Sequence, residues 1–193
     1  MPDSTPQPLD SFEVDKAPQD VLPETFGFRS GARGTHSSRT MMLADLQSLL
    51  AALPKSASKE DYRRRIIEDN VLAKKTVSTR RASAQRLSEL YALDPKVGLF
   101  RLLRFFWDLD RGGRPLLAML CATARDPLLR ASAPAVLAVP VVEPVTKGLL
   151  EKTLAAAVPG RFCLPMIQKI ARYIASSLTQ SGHLQGRLVP KQA

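Results

Sequence analysis

Two cysteines, two histidines and eleven aromatic side chains are a thin inventory for 193 residues. Cys121 and Cys163 sit in apolar surroundings without C-x-x-C spacing. This indicates neither a disulfide framework nor a zinc site, and it suits a reducing cytoplasm. His36 and His183 have no i,i+4 partner and no nearby cysteine, so both are expected as isolated, solvated side chains rather than metal ligands. Nothing matches a P-loop, a dinucleotide fingerprint or G-x-S-x-G. The acids do not group either: Glu68 adjoins Asp69, and Asp108 is one residue from Asp110, spacings that a helix splits between faces. No catalytic residue, metal, cofactor or small-molecule substrate is therefore expected. No apolar run approaches the roughly 20 residues of a membrane span, and the N-terminus lacks the basic and apolar regions of a signal peptide. A soluble, cytoplasmic protein with no membrane partner is expected.

Acids are also scarce. The 18 Asp and Glu stand against 28 Lys and Arg, a formal charge of +10 that favours polyanionic partners. Six of the acids (Asp3, Asp10, Glu13, Asp15, Asp20, Glu24) fall in residues 1–24 against Lys16 alone, which leaves 27 bases and 12 acids, a net +15, on the remainder. This proline-rich segment has few large apolar side chains with which to offset the entropy of ordering, so it reads as a disordered arm. Such an arm either shields the basic body or serves only as a soluble tail.

Apolar residues make up 45% of the chain, enough for a real core, and they recur with helical period through most of it. An all-α fold is expected. The stripe Met42, Leu43, Leu46, Leu49, Leu50 and Leu53 predicts a helix over about 39–53, ended by Pro54. Ser58 with Asp61 has capping-box spacing and opens a second helix to about Asp69. A third covers about 78–91 and buries Ala82, Leu87, Leu90 and Tyr91. Asp94-Pro95 suits an N-cap and first helical position, starting a helix to about Asp110 that is apolar except for Arg101, Arg104 and Asp108, and so is expected to be central. Pro115 to Ala124 and a short turn at Asp126-Pro127 follow. Pro134, Pro140 and Pro144 predict an extended connector over 133–145, with a domain boundary near 140. The expected organisation is a 1–24 arm, a 25–139 helical bundle and a 140–193 domain. The last holds helices at about 145–158 and 164–181, Gly182 as a stop, and a strand beginning within 183–189.

Two basic surfaces are candidates for phosphate. Between residues 62 and 81 lie Arg63, Arg64, Arg65, Lys74, Lys75, Arg80 and Arg81 against two acids, flanking a helix–helix turn. Three consecutive arginines on a helix point three ways, so at most two share a surface. In the late helix, Ile167, Ile170, Ala171, Ile174 and Leu178 face a core. Lys169, Arg172, Tyr173, Ser176 and Gln180 lie opposite, as in a recognition helix with cations on phosphate and Ser or Gln near base edges. Any amphipathic surface helix has this pattern too, but its setting suggests a winged helix-turn-helix. A weaker candidate is Gly27, Gly31 and Gly34 interleaved with Arg29 and Arg33, either an anion-cradling loop or a flexible linker. Most phenylalanines and Trp107 fall on core positions, leaving few aromatics to stack on single-stranded bases, which favours duplex DNA. RNA stays open. An adaptor in a multiprotein assembly, its charge serving only solubility, is the alternative.

Three stretches resemble the BrxA family of bacterial BREX phage-exclusion systems: Phe26-Gly27-Phe28-Arg29-Ser30-Gly31, then Asn70 through Arg81 completed by Arg86-Leu87-Ser88-Glu89-Leu90, and Ser181-Gly182-His183-Leu184. The likeness spans roughly residues 25–188. It implies a helical N-terminal domain joined to a winged-helix-like domain, non-catalytic binding of double-stranded DNA, and a part in phage defence beside other defence proteins. Lys74, Lys75, Arg80 and Arg81 match the family's basic segment. The chain ends at Ala193, where a wing should follow, so a short or truncated member is expected.

Overall fold

Capping side chains set the helix starts. In the computed structural model, which describes residues 24–31, 34–141 and 143–185, eight α-helices follow two short 3-10 turns at Glu24–Phe26 and Thr35–Ser37. Helix α1 (Leu43–Ala51) starts at Met42, whose backbone is left-handed at φ 52°. Helix α2 (Lys59–Ile67) opens on the expected capping box: Ser58 Oγ accepts from the Asp61 N–H, and the Asp61 carboxylate accepts from the Ser58 N–H at 2.9 Å and the Ser58 hydroxyl at 2.7 Å. Those bonds from Ser58 hold the Asp61 carboxyl below its ordinary value. Thr76 caps α3 (Val77–Tyr91) and Thr146 caps α7 (Lys147–Ala157) through the N–H groups of Thr79 and Leu149. The remaining helices are α4 (Gly98–Leu109), α5 (Arg114–Arg125), α6 (Pro127–Leu137) and α8 (Leu164–Gln180). Gly182, at φ 82°, ends α8, and the N–H groups of His183 and Leu184 turn back to the Leu178 carbonyl.

Among the described residues the chain is all-helical, as its periodicity predicts. Consecutive helices pack on one another from α2 onward except for α3 and α4, and α5 sits against α3, α4, α6 and α8. Helix α8 also packs on the Thr35–Ser37 turn. One cluster of buried side chains runs from Met41 to Leu178, so helices on both sides of residue 140 share a core. The expected stripes of α1 and α8 are buried, apart from half-buried Leu53 beyond the end of α1, whereas on α3 Ala82 lies outside and Ser83 and Ala84 lie inside.

Several expectations need correction. Helix α6 continues to Leu137 through Pro134, so the connector shortens to residues 138–146. Val136 and Ser132 are buried and α6 packs on α7, contacts that offset the hydrogen bond Pro134 cannot make. Asp94-Pro95 makes a turn, and α4 begins three residues beyond Pro95, at Gly98. There the Phe26 ring lies where a Cβ on residue 98 would stand, 2.5 Å from its nearest atom. Helix α4 is not central: it buries Phe100, Leu103, Arg104 and Trp107 and turns Leu102, Phe105, Phe106 and Leu109 to solvent. The polar strip of Arg101, Arg104 and Asp108 is thus partly inside, at Arg104. No strand occurs among the described residues. The expected acidic arm and most of the expected strand, residues 1–23 and 186–193, lie outside them.

Candidate nucleic-acid interface

Helix α1 begins without a side-chain cap, and its first N–H groups have no helical carbonyl to bond. Leu43 donates its N–H to Gln180 Oε1 of α8 at 3.4 Å. Ala44 and Asp45 line a cleft of about 350 Å3 between α1, α3 and the end of α8. Arg39 and Thr40 border it from the chain entering α1, Thr79 and Ser83 from α3, and Lys74 from the α2–α3 loop. Left-handed Asn70 and Ala73, at φ 53° and 50°, bend this loop, and Asn70 Oδ1 accepts the Lys74 N–H at 2.8 Å. The Lys74 ammonium is thereby held 2.8 Å from Asp45 Oδ1, with protons left for a second acceptor. Arg39 and Lys74, three hydroxyls and a helix N-terminus surround one opening; with the Asp45 carboxylate paired to Lys74 the cleft keeps one net positive charge and the helix dipole with which to hold a phosphate-sized anion.

The expected residues divide around this cleft. Lys74 lines it, and Thr79 brings in the first turn of α3. Lys75 and Arg81 are exposed, with no acidic partner among the described residues. Arg80 is committed elsewhere: its guanidinium donates to the carbonyls of Ile67 at 3.2 Å and Lys74 at 3.4 Å, closing the end of α2. Arg63 and Arg64 are exposed but paired along α2 with Glu60 and Asp61, at 3.0 and 3.1 Å. On α8, Arg172 is exposed and Lys169 lies over the Tyr173 ring, 5.7 Å from its centroid. Neither lines the cleft; the α8 residue that does is Gln180. Arg39, Thr40 and Ser83 were not singled out from sequence. Arg39-Thr40 directly before the α1 stripe was the available signal.

The glycine segment has a different role. Gly27 has φ 112°, and a Cβ there would lie 2.4 Å from Val97; at Gly34 it would lie 2.1 Å from Asp126 Oδ1. Both glycines permit close packing rather than an open cradle. Arg29 and Gly34 border a separate cleft with Arg86, Glu89 and Arg161, while Arg33 lies outside the described residues.

His36, expected in solvent, is fully buried. Its Nδ1 is 2.8 Å from Asp126 Oδ2 and its Nε2 2.8 Å from Ser177 Oγ, the order of groups in a serine hydrolase. All three side chains are nonetheless sealed inside, and Ser177 Oγ also accepts from the Met41 N–H and lies 2.9 Å from the Tyr173 carbonyl. The Asp126 carboxylate meets four donors: the His36 N–H and ring at one oxygen, and the Leu128 and Leu129 N–H groups of α6 at the other. Burial pushes its pKa up, but the bonds and charge of His36 and the Leu129 amide outweigh burial and hold it below the ordinary value. This arrangement pins α6 and α8 to the Thr35–Ser37 turn.

Burial pushes the Cys121 thiol up to about 12, whereas Cys163 is exposed. Among the described residues no group of three or more His, Cys, Asp or Glu is placed to hold a metal, and no helix is long and apolar enough to cross a membrane. No family model, curated protein or solved structure matches the chain. The likeness to the BrxA family therefore rests on the three sequence stretches alone.

Proposed function

We propose that this protein binds the phosphate backbone of nucleic acid, double-stranded DNA in the first place, without catalysing a reaction on it. The observation that carries this reading is the cleft at the start of α1, lined by Arg39, Lys74 and the uncapped first turn of the helix, with Lys75 exposed next to Lys74 in the α2–α3 loop and Arg81 exposed on α3. A phosphate there accepts from N–H, hydroxyl and ammonium groups together. Flanking phosphates meet Lys75 and Arg81, and Arg172 and Lys169 extend the contact along α8. Gln180, at the cleft edge, is the polar side chain nearest to base-edge reach. With the sequence likeness, this supports an accessory role in phage defence in the bacterial cytoplasm.

The test is a fluorescence-anisotropy titration on a duplex of about 30 base pairs and on a structured RNA at several salt concentrations. Duplex binding that weakens with a log–log slope steeper than about −3 supports the reading, at roughly −0.9 per neutralised phosphate. Absence of binding to either at low salt removes it. The adaptor reading then comes first, and the exposed apolar stripe of α4 is the observation in its favour. Structured RNA is the alternative ligand, since Phe105 and Phe106 are exposed and not in the core as expected.

A further inference from the structure

We propose that the outer face of α4 is a self-complementary interface on which a second copy of this chain docks, antiparallel helix against helix. Leu102, Phe105, Phe106 and Leu109 are 46%, 57%, 43% and 67% exposed. Their i, i+3, i+4, i+7 spacing places them in one stripe along the helix. The two phenylalanines pack edge to face, ring centroids 5.1 Å apart, rather than folding back onto the core. The stripe leaves on the order of 400 Å2 of apolar surface in water, within the range of the largest patch a monomer carries. A standard interface buries about 800 Å2 per partner. The stripe supplies its apolar centre, and the long polar side chains beside it supply the rim.

Charge chooses the occupant and its direction. Arg101 flanks the stripe near the start of α4 and has no carboxylate partner among the described residues; its guanidinium donates to the Lys96 carbonyl at 3.4 Å. Asp108, seven residues on and therefore on the same flank, is half exposed beside Lys55 at 3.2 Å and Arg114 at 3.6 Å. Antiparallel pairing centred between Phe105 and Phe106 sets Leu102 opposite Leu109 of the second copy and Phe105 opposite its Phe106. Arg101 then falls about 3 Å along the axis from Asp108 of the second copy, within side-chain reach, and the two-fold axis repeats the pair. A parallel arrangement about a two-fold along the helices sets the two Arg101 side chains on opposite flanks, each away from Asp108 of the second copy, and gains nothing from that charge.

The test is sedimentation equilibrium of the full chain without nucleic acid, from about 1 to 200 µM, with helicity checked by circular dichroism. A reversible dimer is expected, weakened at least tenfold by Phe105→Asp with helicity unchanged. Arg101→Asp is expected to weaken it, and Arg101→Lys, which keeps the charge facing Asp108 of the second copy, to leave it within about twofold. On a Cys163→Ser background, a mixture of Leu102→Cys and Leu109→Cys chains is expected to crosslink under mild oxidation, while Leu102→Cys alone does not. A monomer throughout the range, a dimer indifferent to Phe105→Asp, or efficient crosslinking of Leu102→Cys to itself overturns the proposal.

Discussion

His36, Asp126 and Ser177 show how far one residue's surroundings can depart from its sequence neighbourhood. The Asp-Pro pair at 126–127 was legible as a helix start, and Asp126 does cap α6 through the Leu128 and Leu129 amides. Its second oxygen holding a histidine 90 positions earlier was not legible, because nothing local to His36 records the approach of α6 and α8. Replacing Asp126 with Asn turns an acceptor into a donor facing the His36 N–H, and is expected to cost about 3 kcal/mol of stability in chemical denaturation. The folded-state pKa of Asp126 lies below its unfolded value of about 3.9. Its contribution is therefore fully present above that value and lost as pH falls through the folded one. Wild type should lose more stability than Asp126→Asn on acidification below about pH 4, and parallel losses would contradict the assigned role. Gly34→Ala tests the same contact from the other side: its new Cβ falls on the Asp126 carboxylate, so a lower melting temperature is expected.

At the scale of the element, arginine explains much of the basic composition without any partner. Arg104 donates to the carbonyls of Leu50 and Leu53 at the end of α1, Arg80 to Ile67 at the end of α2, and Arg125 to Ser88 and Glu89 at the end of α3. Arg114 donates to Trp107 in α4, and Arg130 to Ala124 in α5. Each sets a charged donor on carbonyls at the negative end of a helix dipole. A basic residue capping a distant helix looks in sequence like one awaiting phosphate, which is why Arg80 was grouped with Lys74, Lys75 and Arg81. Arg104→Ala is expected to lower stability by about 3 kcal/mol, through two lost carbonyl partners and a vacated buried stem. Arg63→Ala, on the exposed face of α2, should change it by less than about 0.5 kcal/mol. Equal effects in urea titrations would contradict this division. The helix start marked by Ser58 was readable because the cap lies within three residues of what it bonds. Pro134 misled because the packing of α6 on α7 is set by residues far from it in sequence.

For the whole molecule, apolar periodicity was enough to foresee an all-helical chain, since 3.6-residue stripes recur in nearly every segment. It put α4 at the centre, which the structure overturns. Helix α4 is apolar on two faces, and sequence cannot separate a buried helix from one that packs on a core and leaves a second face bare. The cleft was half legible: Lys74 came from the basic segment, and Gln180 from the polar side of α8. Their meeting at the start of α1 depends on α8 crossing back over residues 35–43, joined through Ser177 to Met41 and Gln180 to Leu43. The amide N–H groups of Ala44 and Asp45 therefore report on the central claim most directly. A nuclear magnetic resonance titration with a duplex of about 12 base pairs should move them downfield together with Arg39 and Lys74, as hydrogen bonds to phosphate form at the helix start. Shifts confined to other surfaces, or none at low salt, would contradict the assignment of this cleft to the nucleic-acid backbone.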